Sequence, residues 1–405
     1  MLTTPRQARS AAAAERHPMI STSARTPQSP FYGPDHEAWR QSVRRWVARE
    51  VAPFVDRWEA DEAFPRELYR KAAEAGILQL GFPEEYGGIP TADPFMHVVT
   101  SEELCAPACG GLVAGLMSHT IGAPPIAAAG TPEVKARVLP AILAGEKISA
   151  LAITEPSGGS DVAALKTTAR REGDVYVVNG SKTFITSGMR ADFITVAVRT
   201  GGPGIGGISL LLIAGESAGL TRTPIEKMGW WCSDTATLYF DDVRVPAANL
   251  LGAENRGFEL VMRNFNSERL GMATIAAATA QVALDEAIAY ARERETFGKR
   301  LADHQVIRHK IVEMARQINA TRAYRDAVAW RVAQGESPVA DLSMLKVQAT
   351  LTLEFCAREA AQILGGAGYS RGTKVERIYR EVRVNAIGGG SEEIMRDLAA
   401  RQMGL

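Results

Sequence analysis

The spacing of apolar residues changes period twice along the chain. From about Pro34 to Gly145 it is helical. Trp39, Val43, Trp46, Val47 and Val51 recur on one face before Pro53, and Leu68, Ala72, Ala75 and Leu78 do so before Gly81. Residues 82–88 read as a loop. Further helices are predicted over 94–104, over 110–123 with Pro124-Pro125 as the stop, and over 132–143. Between Lys147 and Pro246 the period falls to two. Residues 175–178 and 182–185, around Asn179-Gly180, predict a hairpin with a type I′ turn. Residues 193–198, 208–213 and 235–240 add strands that no helices separate, which predicts an antiparallel barrel or sandwich. The glycine-rich run 201–207 is a hairpin loop, not a dinucleotide fingerprint. A strand follows it, whereas that fingerprint needs a helix N-terminus for the pyrophosphate.

From Gly257 the helical period returns. One long segment reaches Arg294, a second runs over 304–333, and a third starts near Pro338 and ends at Gly365-Gly366. Short connections between long amphipathic helices predict an antiparallel, four-helix-type bundle. Shorter helices are expected over 374–384 and from Ser391, an N-cap with Glu392 and Glu393 in its first turn. The fold class is therefore α+β and multidomain. A tail over 1–30 precedes an all-α domain (31–146), an antiparallel β domain (147–250) and an α-helical domain (251–405).

Bulk properties narrow the function classes. Of the 405 residues, Lys and Arg total 46 and so do Asp and Glu, so no global field favours nucleic acid or an anionic membrane. No apolar run approaches the ~18 residues that span a bilayer, so stable membrane insertion is not expected. The first 30 residues carry Arg6, Arg9, Arg16 and Arg25 against one acid, Glu15, in an Ala/Ser/Thr/Pro-rich background. Such a segment is compatible with a transit peptide, although a structureless tail or a start at Met19 fits its bias better. Cys105, Cys109, Cys232 and Cys356 contain no C-x-x-C pair, and the six histidines are scattered. Buried thiols in a reducing compartment, the cytoplasm or alternatively the mitochondrial matrix, are expected, and no metal.

Candidate chemistry centres on Leu151-Ala152-Ile153-Thr154-Glu155-Pro156-Ser157-Gly158-Gly159-Ser160-Asp161, where an apolar run ends in a loop of Gly and hydroxyl residues. Glycine lets backbone N–H groups approach a ligand, and Ser and Thr add donors. It is followed by Gly180-Ser181-Lys182-Thr183-Phe184-Ile185-Thr186-Ser187, by Arg294-Glu295-Thr296-Phe297-Gly298-Lys299, by Gln362-Ile363-Leu364-Gly365-Gly366-Ala367-Gly368-Tyr369 and by Val375-Glu376-Arg377. In this order, over about residues 32–405, these segments resemble the acyl-CoA dehydrogenase family of flavoproteins. The resemblance implies removal of an α-proton and a β-hydride from an acyl-CoA thioester, with FAD accepting the hydride. Proton removal needs a carboxylate at the α-carbon and a polarised carbonyl.

Many family members carry that carboxylate as Glu in a Tyr-Glu-Gly-Thr turn near the C-terminus. Here the turn reads Gly388-Gly389-Gly390-Ser391, with Gly389 at the Glu position. Isovaleryl-CoA and long-chain dehydrogenases place the base on the first long helix of the C-terminal domain. This chain has Asn266-Ser267-Glu268-Arg269 there, with Glu268 26 positions before Arg294. The resemblance thus assigns Glu268 as the base; a helix-surface ion pair with a neighbouring Arg is the ordinary alternative for such a Glu. The backbone N–H of Gly389 would hold the thioester oxygen together with a ribityl hydroxyl of FAD, and the absent side chain would leave room for longer or branched acyl chains.

For the flavin, the family pattern falls on Leu151, Ile153, Thr154, Gly159 and Ser160, with Phe184, Ile185 and Thr186 against the ring. Arg294, Thr296, Phe297, Gln305 and Gln362 to Gly366 (Gly365 included) would reach the FAD of a neighbouring subunit, Arg294 meeting pyrophosphate. Ser391 and Glu393 would meet the adenosine half. Ser160, Asn266, Arg269 and Gly390 are candidates for the substrate. The resemblance further implies a homotetramer, a dimer of dimers, that passes electrons to an electron-transferring flavoprotein in fatty-acid β-oxidation. Two other classes fit the same residues: a flavin-dependent acyl-CoA oxidase or monooxygenase, and a non-catalytic acyl-CoA-binding protein.

Overall fold

The structure, a computed structural model, describes residues 30–405; the tail expected over 1–30 lies, up to residue 29, outside the described residues. Helices α1 (Pro34–Glu50), α2 (Val55–Ala60), α3 (Glu67–Glu74), α4 (Pro94–Cys105), α5 (Gly110–Leu116), α6 (His119–Gly122), α7 (Pro124–Ala129) and α8 (Pro132–Leu143) form the first layer. Their stripes of Val43, Trp46, Val47, Leu68, Ala72 and Leu112 meet in one core. The helix expected over 110–123 is broken after Leu116. The Gly115 carbonyl accepts the Tyr69 hydroxyl at 2.9 Å, and the chain re-forms as α6 and α7. Pro124-Pro125, read as a stop, follows the end of α6 at Gly122 and also opens α7, where the missing N–H costs nothing.

Strands β1 (Ser149–Ala152), β2 (Thr168–Glu172), β3 (Val175–Thr186), β4 (Phe193–Arg199), β5 (Ile208–Ala214), β6 (Leu220–Pro224), β7 (Thr235–Pro246) and β8 (Leu250–Leu251) make one eight-stranded sheet in the order β6-β7-β3-β2-β4-β5-β8, with β1 on β4. The sheet is mixed, not wholly antiparallel: β1 runs parallel to β4, and Thr168 makes a parallel pairing with Arg199. The long stretch between β1 and β4 supplies the crossover that a parallel neighbour needs. The predicted hairpin at Asn179-Gly180 does not form. β3 runs straight through it, and the turn from β2 to β3 falls at Gly173-Asp174. Gly180, at φ +141, makes a bulge at a register shift between Val178 and Gly180, where a Cβ would stand 2.7 Å from the Thr167 backbone. Residues 201–207 do link antiparallel β4 and β5. Those two strands are mostly apolar because Val196 and Ile213 face one core while Ala197, Leu210 and Leu212 pack towards α8 on the other.

The last layer comprises α9 (Gly257–Glu293), a small β9 (Glu295–Thr296) and β10 (Lys299–Arg300) ribbon, α10 (Gln305–Ala333), α11 (Val339–Leu364), α12 (Gly366–Tyr369), α13 (Lys374–Ile387) and α14 (Glu392–Gln402). Helix α9 rises about 55 Å at ~1.5 Å per residue, and it joins three of the four cores. Val261 joins the sheet-side cluster, Ala278 the N-terminal one, and Ala273, Ala276, Ala280 and Ala287 the bundle with α11. Small side chains on that face let α9 and α11 pack closely. The Ser391 hydroxyl accepts the Ile394 N–H and caps α14, as its sequence predicts. Among the described residues, no single helix is long and apolar enough to cross a membrane.

Candidate active site

Where α9 leaves the sheet-side cluster and enters the bundle, it carries Glu268. The residue is half-buried, but its Oε2 is sealed from solvent and has no hydrogen-bond partner. Burial pushes the carboxyl up to about 7, against the opposing pull of the Arg269 and Lys346 charges. The ordinary surface pair with Arg269 is not what the helix builds. Arg269 is itself buried, 4% exposed, and its Nη1 donates to Asn266 Oδ1 at 2.9 Å. A carboxyl raised in this way, with one oxygen sealed from water and unpartnered, is poised to take a proton near neutral pH.

The glycine turn after α13 comes up against the same place. Gly389 has φ +64, and a Cβ built on it would lie 3.4 Å from Glu268 Oε1. The carboxylate on α9 therefore reaches the neighbourhood that a side chain at 389 would enter. The room expected beside Gly389 is not open, because Met272, one turn along α9, brings its Sδ within 2.5 Å of that Cβ position. Met395 fills the corresponding space at Gly390, 2.5 Å away.

On the sheet, β1 ends at the loop that carries Ile153 and Thr154, and this loop lies along β3: Thr183 N–H donates to the Thr154 carbonyl at 2.9 Å. Gly158 and Gly159 leave the backbone open, with nothing nearer than Thr154 Cγ2 at 3.5 Å. Ser160 is exposed, while Leu151, Thr154 and Thr186 are half-buried. Phe184, at φ +59, holds its ring 67% exposed beside this loop. Ile185 points the other way, into the sheet core, so it can offer a ligand only its main chain.

Beneath the loop lies an ion pair that sequence reasoning did not single out. Lys182 Nζ, wholly buried, donates to Glu155 Oε1 and to the Ile153 carbonyl, each at 2.9 Å. Glu155 also accepts the N–H groups of Lys166 and Thr167 at 2.6 and 2.8 Å. Burial lowers the Lys182 amine to about 8, whereas the Lys182 charge and these donors hold Glu155 below its usual range despite its burial. The signal was present: Lys182 occupies the alternate positions of β3 that Tyr176 and Val178 fill with core side chains.

Comparison with known proteins identifies the family. Models of the acyl-CoA dehydrogenase N-terminal, middle and C-terminal domains match residues 33–146, 150–243 and 255–404. The mitochondrial long-chain specific acyl-CoA dehydrogenase of Rattus norvegicus is 36% identical, over 92% of this chain and 87% of its own. The chain belongs to the acyl-CoA dehydrogenase family. Among solved structures, "a probable acyl CoA dehydrogenase" from Mycobacterium abscessus is 49% identical with a TM-score of 0.90, over 92% of this chain and all of that one. A glutaryl-CoA dehydrogenase from Mycobacterium smegmatis in complex with FADH2 is 27% identical with a TM-score of 0.86, over 92% of this chain and 95% of that one. Acyl-CoA dehydrogenases are FAD-dependent oxidoreductases, and FAD is the cofactor here. The loop and strand fit it: open glycine backbone, hydroxyl donors at Thr154 and Ser160, and an exposed aromatic face at Phe184 form a cradle for a flat heterocycle.

The other candidates lie elsewhere on this acyl-CoA dehydrogenase. Arg294 caps α9, Thr296 lies in the short ribbon, and Gln305 opens α10. Phe297, at φ +51, is 96% exposed; Gln362, Gly365 and Gly366 are exposed at the end of α11. Glu393 is exposed on α14, where the Ser391 hydroxyl and the helix N-terminus hold its carboxyl low. Asn266 is half-buried near Glu268, with Nδ2 3.5 Å from Ser337 Oγ. The cysteines also pair unexpectedly. Cys105 ends α4, whereas Cys109 meets Cys232 at 3.3 Å and Glu59 at 3.6 Å; Arg380 is also on Glu59.

Proposed function

We propose that this family member is an acyl-CoA dehydrogenase in which Glu268 abstracts the α-proton of an acyl-CoA, giving the trans-2-enoyl-CoA. The observation that carries this reading is the convergence of Glu268 Oε1 on Gly389, 3.4 Å from its Cβ position, with the other carboxylate oxygen buried and unpartnered. Bound FAD supplies the hydride acceptor that side chains lack. The chain's own residues do the rest. The Gly389 N–H receives the thioester oxygen and stabilises the negative charge that develops as the proton leaves. Glu268, raised to about 7 by burial, is basic enough to take that proton and is still ionised in part at neutral pH. Asn266 and Arg269 line the approach, joined to each other by a hydrogen bond, and Ser160 and Gly390 complete the contacts proposed for the substrate.

The flavin would rest on Leu151, Ile153, Thr154, Gly159, Ser160, Phe184 and Thr186, with the Ile185 main chain behind it. Arg294, Thr296, Phe297, Gln305, Gln362, Gly365 and Gly366 would serve a neighbouring subunit's FAD, with Ser391 and Glu393 near its adenosine. What supports that assembly is an apolar ring left almost wholly exposed, Phe297 at 96%, with Tyr369 at the end of α12 exposed at 91%. The proposed electron acceptor is an electron-transferring flavoprotein. The test is anaerobic bleaching of the flavin by butyryl-, octanoyl-, palmitoyl- and isovaleryl-CoA. The wild type should bleach with at least one of these, and a Glu268→Gln variant should bind FAD yet stay yellow. Full bleaching of that variant at the wild-type rate would remove Glu268 from the mechanism.

A further inference from the structure

Helix α11 presents a buried stripe of Leu342, Leu345, Ala349 and Leu353 to the bundle core. Lys346 stands on that same stripe and is wholly buried. A lysine is very rarely found there without a partner. Its amine donates to the carbonyl of Gly390 and lies 3.5 Å from that of Ala386. Ala386 is in the last turn of α13, whose carbonyls carry the negative end of the helix dipole and attract a cation. Between the two anchored carbonyls lie Ile387, Gly388 and Gly389. This short segment presents the Gly389 N–H, and its two glycines give it little stiffness of its own.

The surroundings add a second effect. The charges that act on the Lys346 amine are those of Glu268 and Arg269 from α9 and Glu392 from α14. Burial lowers the amine to about 8, and the two carboxylates oppose that shift. In return, the ammonium steadies the Glu268 carboxylate against its own burial. Anchoring two carbonyls requires only a donor; placing a full charge there also acts on the base.

We propose that Lys346 is a positioning residue for the reaction: its ammonium clamps the Ala386 and Gly390 carbonyls, so fixing the Gly389 N–H, and its charge acts on the Glu268 carboxylate. This rests on the reading of Glu268 as base and of the Gly389 N–H as the thioester's donor. Losing the clamp lets the turn shift, and a displacement of about 1 Å slows a reaction by up to about a hundredfold. Losing the charge raises the pH at which Glu268 ionises.

The test uses the FAD-loaded protein and the variants Lys346→Met and Lys346→Arg, with Glu268→Gln alongside. Stopped-flow bleaching with whichever of butyryl-, octanoyl-, palmitoyl- or isovaleryl-CoA is fastest separates rate from affinity. Binding of the matching 2-enoyl-CoA, read as a shift of the flavin absorbance, reports the held carbonyl without turnover. Lys346→Met should reduce about tenfold to a hundredfold more slowly, with apparent affinity changed less than about threefold. The acid limb of its rate profile should move to higher pH, and the enoyl-CoA shift should weaken. Lys346→Arg keeps the charge and should leave the acid limb in place. A Lys346→Met protein with unaltered rate, limb and spectral shift overturns the proposal. So does one that melts earlier but whose remaining folded fraction keeps the wild-type limb and shift. Should Lys346→Met fail to fold, a displaced limb in Lys346→Arg overturns it and an unmoved one supports it. Wild-type bleaching by Glu268→Gln would instead defeat the base assignment, and the enoyl-CoA shift then judges the clamp alone.

Discussion

The contact between Met272 and Gly389 makes a quantitative claim about the turn. Alanine at 389 would have to adopt φ +64, which costs about 1–2 kcal/mol for a residue with a Cβ. Its methyl would also stand 2.5 Å from Met272 Sδ, roughly 1 Å inside ordinary contact. Crowding of that size costs ~1–3 kcal/mol, shared between the yielding thioether and the turn. If the turn moves, the Gly389 N–H moves with it. Gly389→Ala should therefore slow flavin bleaching by acyl-CoA about tenfold to a hundredfold. Met272→Ala alone opens space beside a glycine and should slow it less than about threefold, since Met272 is only half-buried. In the double variant the clash is gone and only the backbone strain remains. Its rate should exceed that of Gly389→Ala by about tenfold, a coupling of ~1.4 kcal/mol. The assay is single-turnover bleaching at saturating acyl-CoA, with FAD content checked for each protein. A double variant as slow as the product of the two single effects would refute the idea that Met272 fills the space at 389.

Four further outcomes follow from other contacts. The rate of flavin reduction in the free enzyme should rise with pH through about 7, because Glu268 acts only when ionised; a profile flat from pH 5 to 9 contradicts this. Lys182→Met leaves Glu155 buried with only its backbone donors. It should cost about 3 kcal/mol and release FAD, read from the melting curve and the flavin content; unchanged melting would show that the pair is dispensable. Glu381 is 4% exposed, and burial next to Glu59 raises its carboxyl to about 8. The folded state therefore holds a proton that the unfolded state gives up near pH 4.5, and stability should fall between about pH 4.5 and 8 by up to a few kcal/mol, then level off. Glu381→Gln should flatten that slope in pH-dependent melting, and a slope that persists contradicts the assignment. Arg294→Ala should lower FAD retention in gel filtration without moving the pH profile; full retention would place the pyrophosphate elsewhere.

The succession of helical, two-residue and helical periods was legible in the chain because each layer buries one face of its elements, and burial writes its period into the sequence. Trp46 and Val47, Val196 and Ile213, and the alanines of α9 each declare their face without a partner in view. Ser391 could be read as a cap because capping is decided within three residues. Non-local contacts were illegible for the same reason. Asn179-Gly180 has the composition of a turn, yet pairing with β2 on one side and β7 on the other holds β3 straight, and the glycine is used for a bulge. A helix does end at Gly122, just before Pro124-Pro125, but the prolines also open the next one, and the earlier break after Leu116, where Tyr69 takes the Gly115 carbonyl, left no mark in the pattern. Glu268 could be nominated from the sequence, but whether its carboxylate would meet a neighbouring arginine or the glycine turn depended on how α9, α13 and α11 pack. Lys182 and Lys346 carry charge at positions the pattern assigns to the core. The pattern marks them as exceptions, and only the fold reveals the carboxylate and carbonyls, distant in the chain, that make burying them tolerable. Periods and caps were determined by the sequence alone. The chemistry waited for tertiary contact, because shifting a carboxyl takes the removal of water from all sides, which no single segment can do.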